Sequence, residues 1–474
     1  MGGLVYISAV GAAAPTLRIN AAEVGAAWGR RGGRFVPAVC APDEDALTLA
    51  AAAILDALAV AGIDGSDVDG MWWGCTRPPF AEGPNHAVLA TAAGIGPHAS
   101  GAVMSGSPHA GMEALLGGAD AIAAGTARVA VVVVSDALVP GLGTAFEARC
   151  GAGAAALVLT ATEGPATLGV RVTRLHPLLD RYRGDGETAT RDLYDPRLFR
   201  EEMFLPPVRD VAEHLAALDV RAWSLPDPDG RLGAVIAKGV NAHIVTSAEA
   251  YAALGDTGAA APIIGGVLAL DAPGRVAIIG TGGGRTTGVI VTASAPVPGS
   301  TIARERVTAD GRAATYPEIL RARGQLESSG ENIPMGVPPE SALFARGATE
   351  MLQLLGGRCA ECATVNTPPS IHPTCVACGC SKLEPVQLAR HGVVHTFVVN
   401  QTMPSPFVAP LPIAVIDLDD GARIMLQVVG DGSDLEIGTE VDLVLRKYAH
   451  ERGVPVYGYK AKPTTAVPDR SEKS

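Results

Sequence analysis

The chain has 474 residues, a net charge of −12, 48% hydrophobic residues and only 4% aromatic ones. This length predicts two or three domains with a large core, and the acidic charge argues against nucleic acid or an anionic membrane as a main partner. The longest apolar run, around 129–134, is too short to span a bilayer and the first residues lack a secretory pattern, so we expect a cytoplasmic protein.

The first 295 residues alternate between predicted strands and helices, which is typical of a layered α/β domain. Continuous β-branched or small apolar runs at 128–135 and 153–159 predict strands buried on both faces. We expect helices at 45–61, 85–93, 108–124, 208–217 and 259–270, and further strands at 4–10, 68–73, 221–224, 275–280 and 288–293. A second half begins near residue 200, and the two halves are candidates for structural repeats.

The remaining chain changes character twice. Residues 296–340 are rich in proline, glycine and charge, which predicts a linker with one helical stretch near 316–323. Residues 341–384 read as a helix followed by a cysteine-rich segment. Short alternating strands between Gly and Asp turns predict a small β-barrel over 385–463, and we expect residues 464–474 to be disordered.

Four cysteines predict a metal site. Cys359 and Cys362 form one Cys-x-x-Cys knuckle, and Cys375 and Cys378 form a second one twelve residues later. Two knuckles at this distance are typical of a four-thiolate zinc site, and a reducing compartment favours metal thiolates over two disulfides. Four protein ligands leave no position for water, so the zinc is expected to be structural. Cys380 lies just beyond and is interpreted as a bystander.

Several segments, in order, resemble hydroxymethylglutaryl-CoA synthase and the ketoacyl synthase III branch of the thiolase superfamily. These are APDEDALTLAAAAILDAL, WGCTRPPFAEGPNHAVLATAAGI, GAGAAALVL, GDTGAAAPIIGGVLAL and PGRVAIIGTGGGRTTGVIV. The cysteine-rich segment and the following PVQLARHGVVHTFVVNQTMPSPF resemble the zinc-ribbon and OB-fold domain that accompanies such proteins. The resemblance implies a five-layered αβαβα thiolase-type body over 1–295, followed by a zinc ribbon and an OB-fold barrel.

The resemblance also implies ligands and partners. The substrate would be an acyl thioester, delivered by CoA or by a carrier protein. The body would form a homodimer through the strand at 153–159, and a catalytic partner subunit is a further expectation. The OB-fold is not expected to bind nucleic acid, because residues 386–460 contain more acidic than basic side chains.

The chemistry of this family uses a cysteine at the start of a buried helix, assisted by a histidine and an asparagine. Here the matching helix begins SGSPHAGMEALL, which puts Pro108, or Ser107 in a register shifted by one, at the cysteine position. Ser107 is predicted to cap this helix and Pro108 to be its first residue. Ser224 matches the histidine and Asp256 the asparagine. The glutamate position of the synthases falls on Thr76 or Arg77, so every expected catalytic position is changed.

Other residues are candidates for the missing roles. His109 could be a general base, or a histidine of the first helical turn without a catalytic role. Asp256 could be a base or an orienting carboxylate, or a helix cap. Gly280, Gly282 and Gly283 resemble the family's loop that gives an oxyanion-hole amide, while a Gly run also suits a tight turn.

Three further side chains have weaker claims. Cys75 ends a strand that reaches the active-site region in the family and could be a nucleophile, although buried cysteines are usually inert. Tyr182 and Tyr194 lie in an insertion that could cover the cleft.

Three functions therefore compete. The first is an enzyme that makes or breaks C–C bonds, or transfers acyl groups, on acyl thioesters without an acyl-cysteine. The second is a retro-aldolase acting on a β-hydroxyacyl-CoA. The third is a non-catalytic thiolase-like scaffold or partner subunit.

Overall fold

The computed structural model describes residues 3–177, 179–191, 195–326, 342–403, 407, 409–451 and 454–464. The chain divides into two compact units, Met1–Glu327 and Ser328–Ser474. Tyr194, the segment 327–341 and residues 465–474 of the expected tail lie outside the described residues. No described helix has both the length and the apolar character that a membrane span needs.

Nine strands of the first unit form one sheet. They are β1 (Val5–Ala13), β2 (Gly70–Gly74), β3 (Ser100–Met104), β4 (Val129–Ala137), β5 (Ala152–Thr160), β6 (Ala166–Leu175), β7 (Ala222–Ser224), β8 (Gly274–Gly282) and β9 (Arg285–Ala293). Their spatial order is β3-β2-β4-β5-β1-β6-β9-β8-β7. The buried runs predicted at 128–135 and 153–159 correspond to β4 and β5.

The strand order contains an internal repeat. From β2 inwards, the first half runs β2-β4-β5-β1, with one parallel pair followed by two antiparallel pairs. From β7 inwards, the second half runs β7-β8-β9-β6, with the same sequence of parallel and antiparallel pairs. The halves meet where β1 pairs with β6. The two halves are thus structural repeats in topology, but the second half begins with β6 at Ala166 and not near residue 200 as expected.

The described part of the first unit has ten helices of seven or more residues. They are α1 (Ala21–Ala27), α2 (Ala46–Ala61), α3 (Asn85–Ala92), α4 (Ala110–Ala123), α5 (Leu205–Ala216), α6 (Leu232–Gly239), α7 (Thr246–Leu254), α8 (Ala261–Ala269), α9 (Ser300–Thr308) and α10 (Tyr316–Ala322). Helix α2 packs on β1 and β5, and α4 contacts both β2 and α8. Helix α4 approaches the chain before α8 closely at Gly111, which has no Cβ. A Cβ there would lie 2.1 Å from the carbonyl oxygen of Ala259, so only glycine allows this approach.

Part of the predicted linker is ordered structure of the first unit. Residues 300–308 and 316–322 form α9 and α10, and the first unit extends to Glu327. Ala303 and Val307 of α9 and Ile319 of α10 are buried. Burial of these apolar side chains stabilises both helices against the body, which a composition-based reading of this stretch did not reveal.

The strand expected to form a dimer interface is an interior strand. Every residue of β5 is buried, and β5 pairs with β4 on one side and with β1 on the other. It therefore has no open edge for a partner strand, which corrects the expectation for 153–159. Strand β3 lies at one end of the sheet, pairs with β2 alone among the described strands, and is partly exposed.

The second unit contains helix α11 (Ala342–Gln353) and seven longer strands. These are β10 (Leu355–Cys359), β11 (Leu383–Gln387), β12 (His391–Asn400), β13 (Leu411–Leu418), β14 (Arg423–Gln427), β15 (Glu440–Glu451) and β16 (Val454–Pro463). The order β14-β13-β12-β15-β16 is closed by a bridge between Val428 and Ala461, so the predicted barrel is confirmed.

Candidate active site

The start of helix α4 holds the position where the resemblance expects a nucleophile. The helix begins at Ala110, two residues later than predicted, and His109 rather than Ser107 is its N-cap residue. The Ser107 hydroxyl still accepts a hydrogen bond from the His109 N–H at 3.2 Å. Pro108 has neither a thiol nor a backbone N–H, so this point offers neither a covalent nucleophile nor an amide donor.

A glycine turn packs directly against this helix start. Gly283 and Gly284 have φ values of +58° and +73° and join β8 to β9. A Cβ on Gly282 would lie 2.8 Å from Pro108 Cδ, and one on Gly283 would lie 2.7 Å from Ser107 Cβ. Only glycine allows this approach, so the turn and the helix start form one constellation, as the family's loop implies.

The Gly283 amide already has a partner. Its N–H donates to Asp180 Oδ2 at 2.9 Å. Gly280 lies further along β8, where a Cβ would lie 2.4 Å from Met112 Cγ of α4. Of the three glycines predicted to form the oxyanion loop, Gly282 and Gly283 therefore lie against the start of α4. Gly280 instead contributes to the packing between β8 and α4.

Asp256 sits between α7 and α8 with little exposure. It forms an ion pair with Arg181, and its Oδ1 accepts the Gly258 N–H at 3.0 Å. Its backbone is also hydrogen-bonded. The Asp256 N–H donates to the Arg149 carbonyl, and the Asp256 carbonyl accepts from the Gly151 N–H, both at 2.8 Å. The carboxylate thus combines a local turn contact with a long-range charge partner.

Of these groups, Pro108, Asp180 and Asp256 meet in a cavity of about 60 Å³. Its lining combines apolar side chains with a small polar set. The lining includes Pro108 and the polar residues His176, Asp180, Arg181, Asp227, Asp256 and Thr281. No cysteine of the described residues contributes to the lining. A cavity with mostly apolar walls and a few convergent polar groups is a candidate binding or active site.

His109 does not belong to this lining. It is fully buried, with Nε2 2.9 Å from the Thr287 hydroxyl and Nδ1 3.4 Å from Glu113 Oε1. Burial lowers the pKa of His109 to about 4, although the Glu113 carboxylate opposes this effect. At neutral pH it is therefore an uncharged imidazole held between α4 and β9.

Ser224 and Thr76 are held by the protein itself. Ser224 is fully buried and donates to the Pro262 carbonyl at 2.7 Å. The Thr76 hydroxyl donates to Asp136 Oδ2 at 2.5 Å, and the Ala259 N–H donates to the same oxygen at 2.7 Å. Neither residue that replaces a family catalytic group reaches the cavity wall.

Cys75 and Arg77 lie beside the same strand end. The Cys75 thiol is fully buried and lies 3.6 Å from Asp136 Oδ1. Burial raises its pKa well above the usual range, and the Asp136 carboxylate adds to the effect. A thiol in this setting is a poor nucleophile.

The Arg77 guanidinium donates to the Thr188 carbonyl, and Tyr182 is 38% exposed.

The four knuckle cysteines come together in the second unit. Their sulfurs lie within 4.8 Å of one another, with 3.6 Å between Cys359 and Cys378 and 3.5 Å between Cys362 and Cys375. Tetrahedral zinc–sulfur bonds of about 2.3 Å would separate the sulfurs by about 3.8 Å. The cluster therefore fits a tetrahedral metal. Cys380 lies outside it, and its sulfur accepts the Lys382 N–H at 3.3 Å.

Among the cavity residues that the sequence reasoning missed, three lie in one segment: His176, Asp180 and Arg181. They follow β6 in the predicted insertion, and Arg181 meets Asp256 across 75 positions of sequence. The only signal was their position in an insertion suspected of covering the cleft. Asp136, which gathers Thr76 and Ala259, was missed because its position at the end of a buried strand looks like ordinary core.

With this geometry established, comparisons with known proteins place both units. The family "ChsH2, C-terminal OB-fold domain" matches residues 385–446. A "DUF35 domain-containing scaffold protein" of Methanothermobacter thermautotrophicus is 36% identical over 126 residues, which are 25% of this chain and 93% of that protein. The hydroxymethylglutaryl-CoA synthase of Pyrococcus horikoshii is 34% identical over 159 residues, 33% of this chain but only 45% of the synthase.

A solved structure gives the fold of the first unit. A crystal structure of HMG-CoA synthase complexed with CoA superposes with a TM-score of 0.59 at 15% identity, covering 72% of this chain and 95% of that one. The expected thiolase-type α/β body is thereby confirmed. The chain belongs to the DUF35 domain family through its second unit, which is fused to a first unit of the HMG-CoA synthase and ketoacyl synthase III-like thiolase fold.

Proposed function

We propose that the first unit binds an acyl thioester without forming an acyl-cysteine, and that the chain acts as a non-catalytic partner that holds this thioester. The observation that carries the proposal is the constellation at α4. Pro108 removes both the thiol and one amide donor, and the Gly283 amide is engaged by Asp180. Acyl transfer depends on donors aimed at the developing oxyanion, and here Pro108 supplies none and Asp180 competes for the Gly283 amide.

The remaining catalytic candidates support this assignment. Asp256 is neutralised by Arg181, and His109 is buried away from the cavity lining. Relatives of the second unit are named scaffold proteins, which supports a role in assembly. The partner we propose is a catalytic subunit or a carrier protein. CoA bound in the HMG-CoA synthase structure supports a CoA thioester as ligand.

A second candidate is non-covalent C–C bond chemistry, including retro-aldol cleavage of a β-hydroxyacyl-CoA. The observation that favours it is the cavity itself, because His176 and the Asp256 carboxylate both line it beside Thr281. A histidine and a carboxylate can transfer protons without a covalent intermediate. In this candidate Asp256 is the base, and Ser107 and His109 only shape the helix start.

Zinc, dimer and compartment complete the proposal. We propose that the knuckle cysteines hold one structural zinc, since four thiolates close the coordination shell, and that the protein works in the reducing cytoplasm.

A homodimer remains part of the proposal, with the open edge of β3 as its contact. Sedimentation equilibrium of the full chain measures this directly, and a monomer at micromolar concentration would contradict it.

The decisive experiment reads covalency and turnover on the same protein. We expect no acyl adduct in the intact mass after incubation with acetyl-CoA or malonyl-CoA, because no thiol of the described residues lines the cavity. An adduct that disappears in Cys75→Ala would contradict this. We also expect no cleavage of a β-hydroxyacyl-CoA. Turnover that is lost in Asp256→Ala would overturn the non-catalytic assignment and establish the second candidate.

A further inference from the structure

We infer that Asp180 controls access to the Gly283 amide, a carbonyl-binding position beside the cavity. Its carboxylate occupies the Gly283 amide, and an acyl thioester must displace it before its carbonyl oxygen can bind there. This inference rests on the proposed thioester binding and adds a specificity-determining residue to it. Asp180 has no counterpart among the residues that the family resemblance assigned.

Asp180 lies against the glycine turn. Its Oδ2 is 2.9 Å from the Gly283 nitrogen, in the turn where Gly282 lies against Pro108 and Gly283 against Ser107. Pro108 has no N–H and cannot supply this hydrogen bond in place of Gly283. A carbonyl oxygen and a carboxylate oxygen use the same N–H, so the two compete for one hydrogen bond.

The neighbour of Asp180 in the chain is firmly held. Arg181 pairs with Asp256, donates to the Pro228 carbonyl at 3.1 Å, and places its guanidinium carbon 3.6 Å from the centre of the Phe146 ring. Nearby, the His176 N–H donates to the Gly284 carbonyl at 2.8 Å. The backbone on this side is thus anchored independently of Asp180, whose side chain can turn away without release of the segment.

Keeping the Asp180 carboxylate in place has a cost. Asp180 is partly buried, and burial raises its pKa despite the hydrogen bond from Gly283. Desolvation therefore outweighs the stabilisation that the amide gives to the ionised form. Desolvation offsets part of the strength of the Asp180–Gly283 hydrogen bond, but a ligand carbonyl must still break that bond before it can bind the amide.

Binding measurements on the full chain test the inference. Titration calorimetry would compare acetyl-CoA with CoA, which lacks the acyl carbonyl, on the wild type, Asp180→Ala and Asp180→Asn. We expect Asp180→Ala to bind acetyl-CoA about tenfold tighter, in line with the strength of one charge-assisted hydrogen bond, and CoA with unchanged affinity. Asp180→Asn keeps an oxygen acceptor and should fall between the two. Asp185→Ala, at an exposed acid of the same segment, is the matched control and should change neither affinity.

Two results would overturn the inference, and they are distinguishable. If CoA and acetyl-CoA bind and Asp180→Ala leaves the acetyl-CoA affinity unchanged or weaker, the role of Asp180 is refuted while thioester binding stands. If neither ligand binds any folded variant, the proposed thioester binding fails, and the inference fails with it. Far-UV circular dichroism of each variant confirms that the compared proteins are folded.

Discussion

At the scale of single residues, the cavity differs from a covalent acyl-transfer site in what surrounds each polar group. Pro108 supplies no donor, the Gly283 amide is engaged, and Asp256 is paired with Arg181. Beneath the cavity, Asp136 collects N–H and hydroxyl donors from Thr76 and Ala259 and is fully buried. Asp136 therefore joins the end of β4 to the chain that enters α8, and its ionisation is coupled to folding.

Asp136 predicts a pH dependence of stability. Burial raises its pKa to about 6 from 3.8, so the folded state binds the proton more tightly than the unfolded state. The stability that this proton contributes is complete below pH 4 and is lost as the pH rises through 6. Relative to Asp136→Asn, we expect the wild-type free energy of unfolding to fall by about 3 kcal/mol over this window.

Tryptophan fluorescence during urea unfolding measures this effect in the first unit, because all four tryptophans lie before residue 224. The Asn variant is uncharged throughout, so it serves as the reference at every pH. A difference between the two proteins that stays constant from pH 4 to 7 would show that Asp136 does not titrate in this range.

At the scale of elements, the two cysteine knuckles have the same turn geometry with different residues. Ala363 and Gly379 follow the second cysteine of each knuckle, with φ values of +61° and +77°. Each donates its N–H back to the first cysteine carbonyl, at 3.0 Å and 2.9 Å. Glycine adopts this left-handed conformation freely, whereas the Cβ of alanine makes it less favourable by about 1 kcal/mol.

This asymmetry predicts opposite effects for two substitutions. Ala363→Gly should tighten zinc binding about three- to fivefold, and Gly379→Ala should weaken it by a similar factor, since about 1 kcal/mol of strain is removed or added. A Cβ at Gly379 meets no atom within 4 Å, so the effect there comes from the backbone alone. Competition with a chromogenic chelator measures both affinities. Equal affinities in all three proteins would contradict the strain argument.

At the scale of the whole molecule, two units have different sources of stability. The first unit has an extensive apolar core around the nine-stranded sheet. The second unit holds the barrel and a small ribbon whose sheet, β10 with β11 and the short strand Val365–Asn366, brings the knuckles together. Small ribbons depend on their metal for folding energy, because they bury little apolar surface.

Metal removal should therefore affect one unit and spare the other. Stripping zinc with a strong chelator is expected to lower the thermal stability of the second unit by several degrees or more, while the tryptophan-monitored transition of the first unit stays unchanged. Cys375→Ser should reproduce the loss, and Cys380→Ser should retain one zinc per chain by elemental analysis. Retention of zinc in Cys375→Ser would contradict the four-thiolate site.

Much of this protein follows from local patterns in its sequence. The buried strands β4 and β5, the helix α2 and the barrel strands follow from apolar periodicity, because burial on one or both faces imposes that spacing. The metal cluster follows from cysteine spacing, because a Cys-x-x-Cys turn directs two sulfurs at one point. The ordered helices α9 and α10 were not predicted as part of the first unit, since composition does not reveal which partner surface buries them.

The cavity was decided by the tertiary structure. The sequence could show that Pro108 replaces a nucleophile, because that is a matter of residue identity. It could not show that Asp180 reaches an amide 103 positions away, or that Arg181 pairs with Asp256, because such contacts depend on how loops from distant strands converge. For the same reason His109, a neighbour of Pro108 in sequence, lies outside the cavity wall while His176 lies within it.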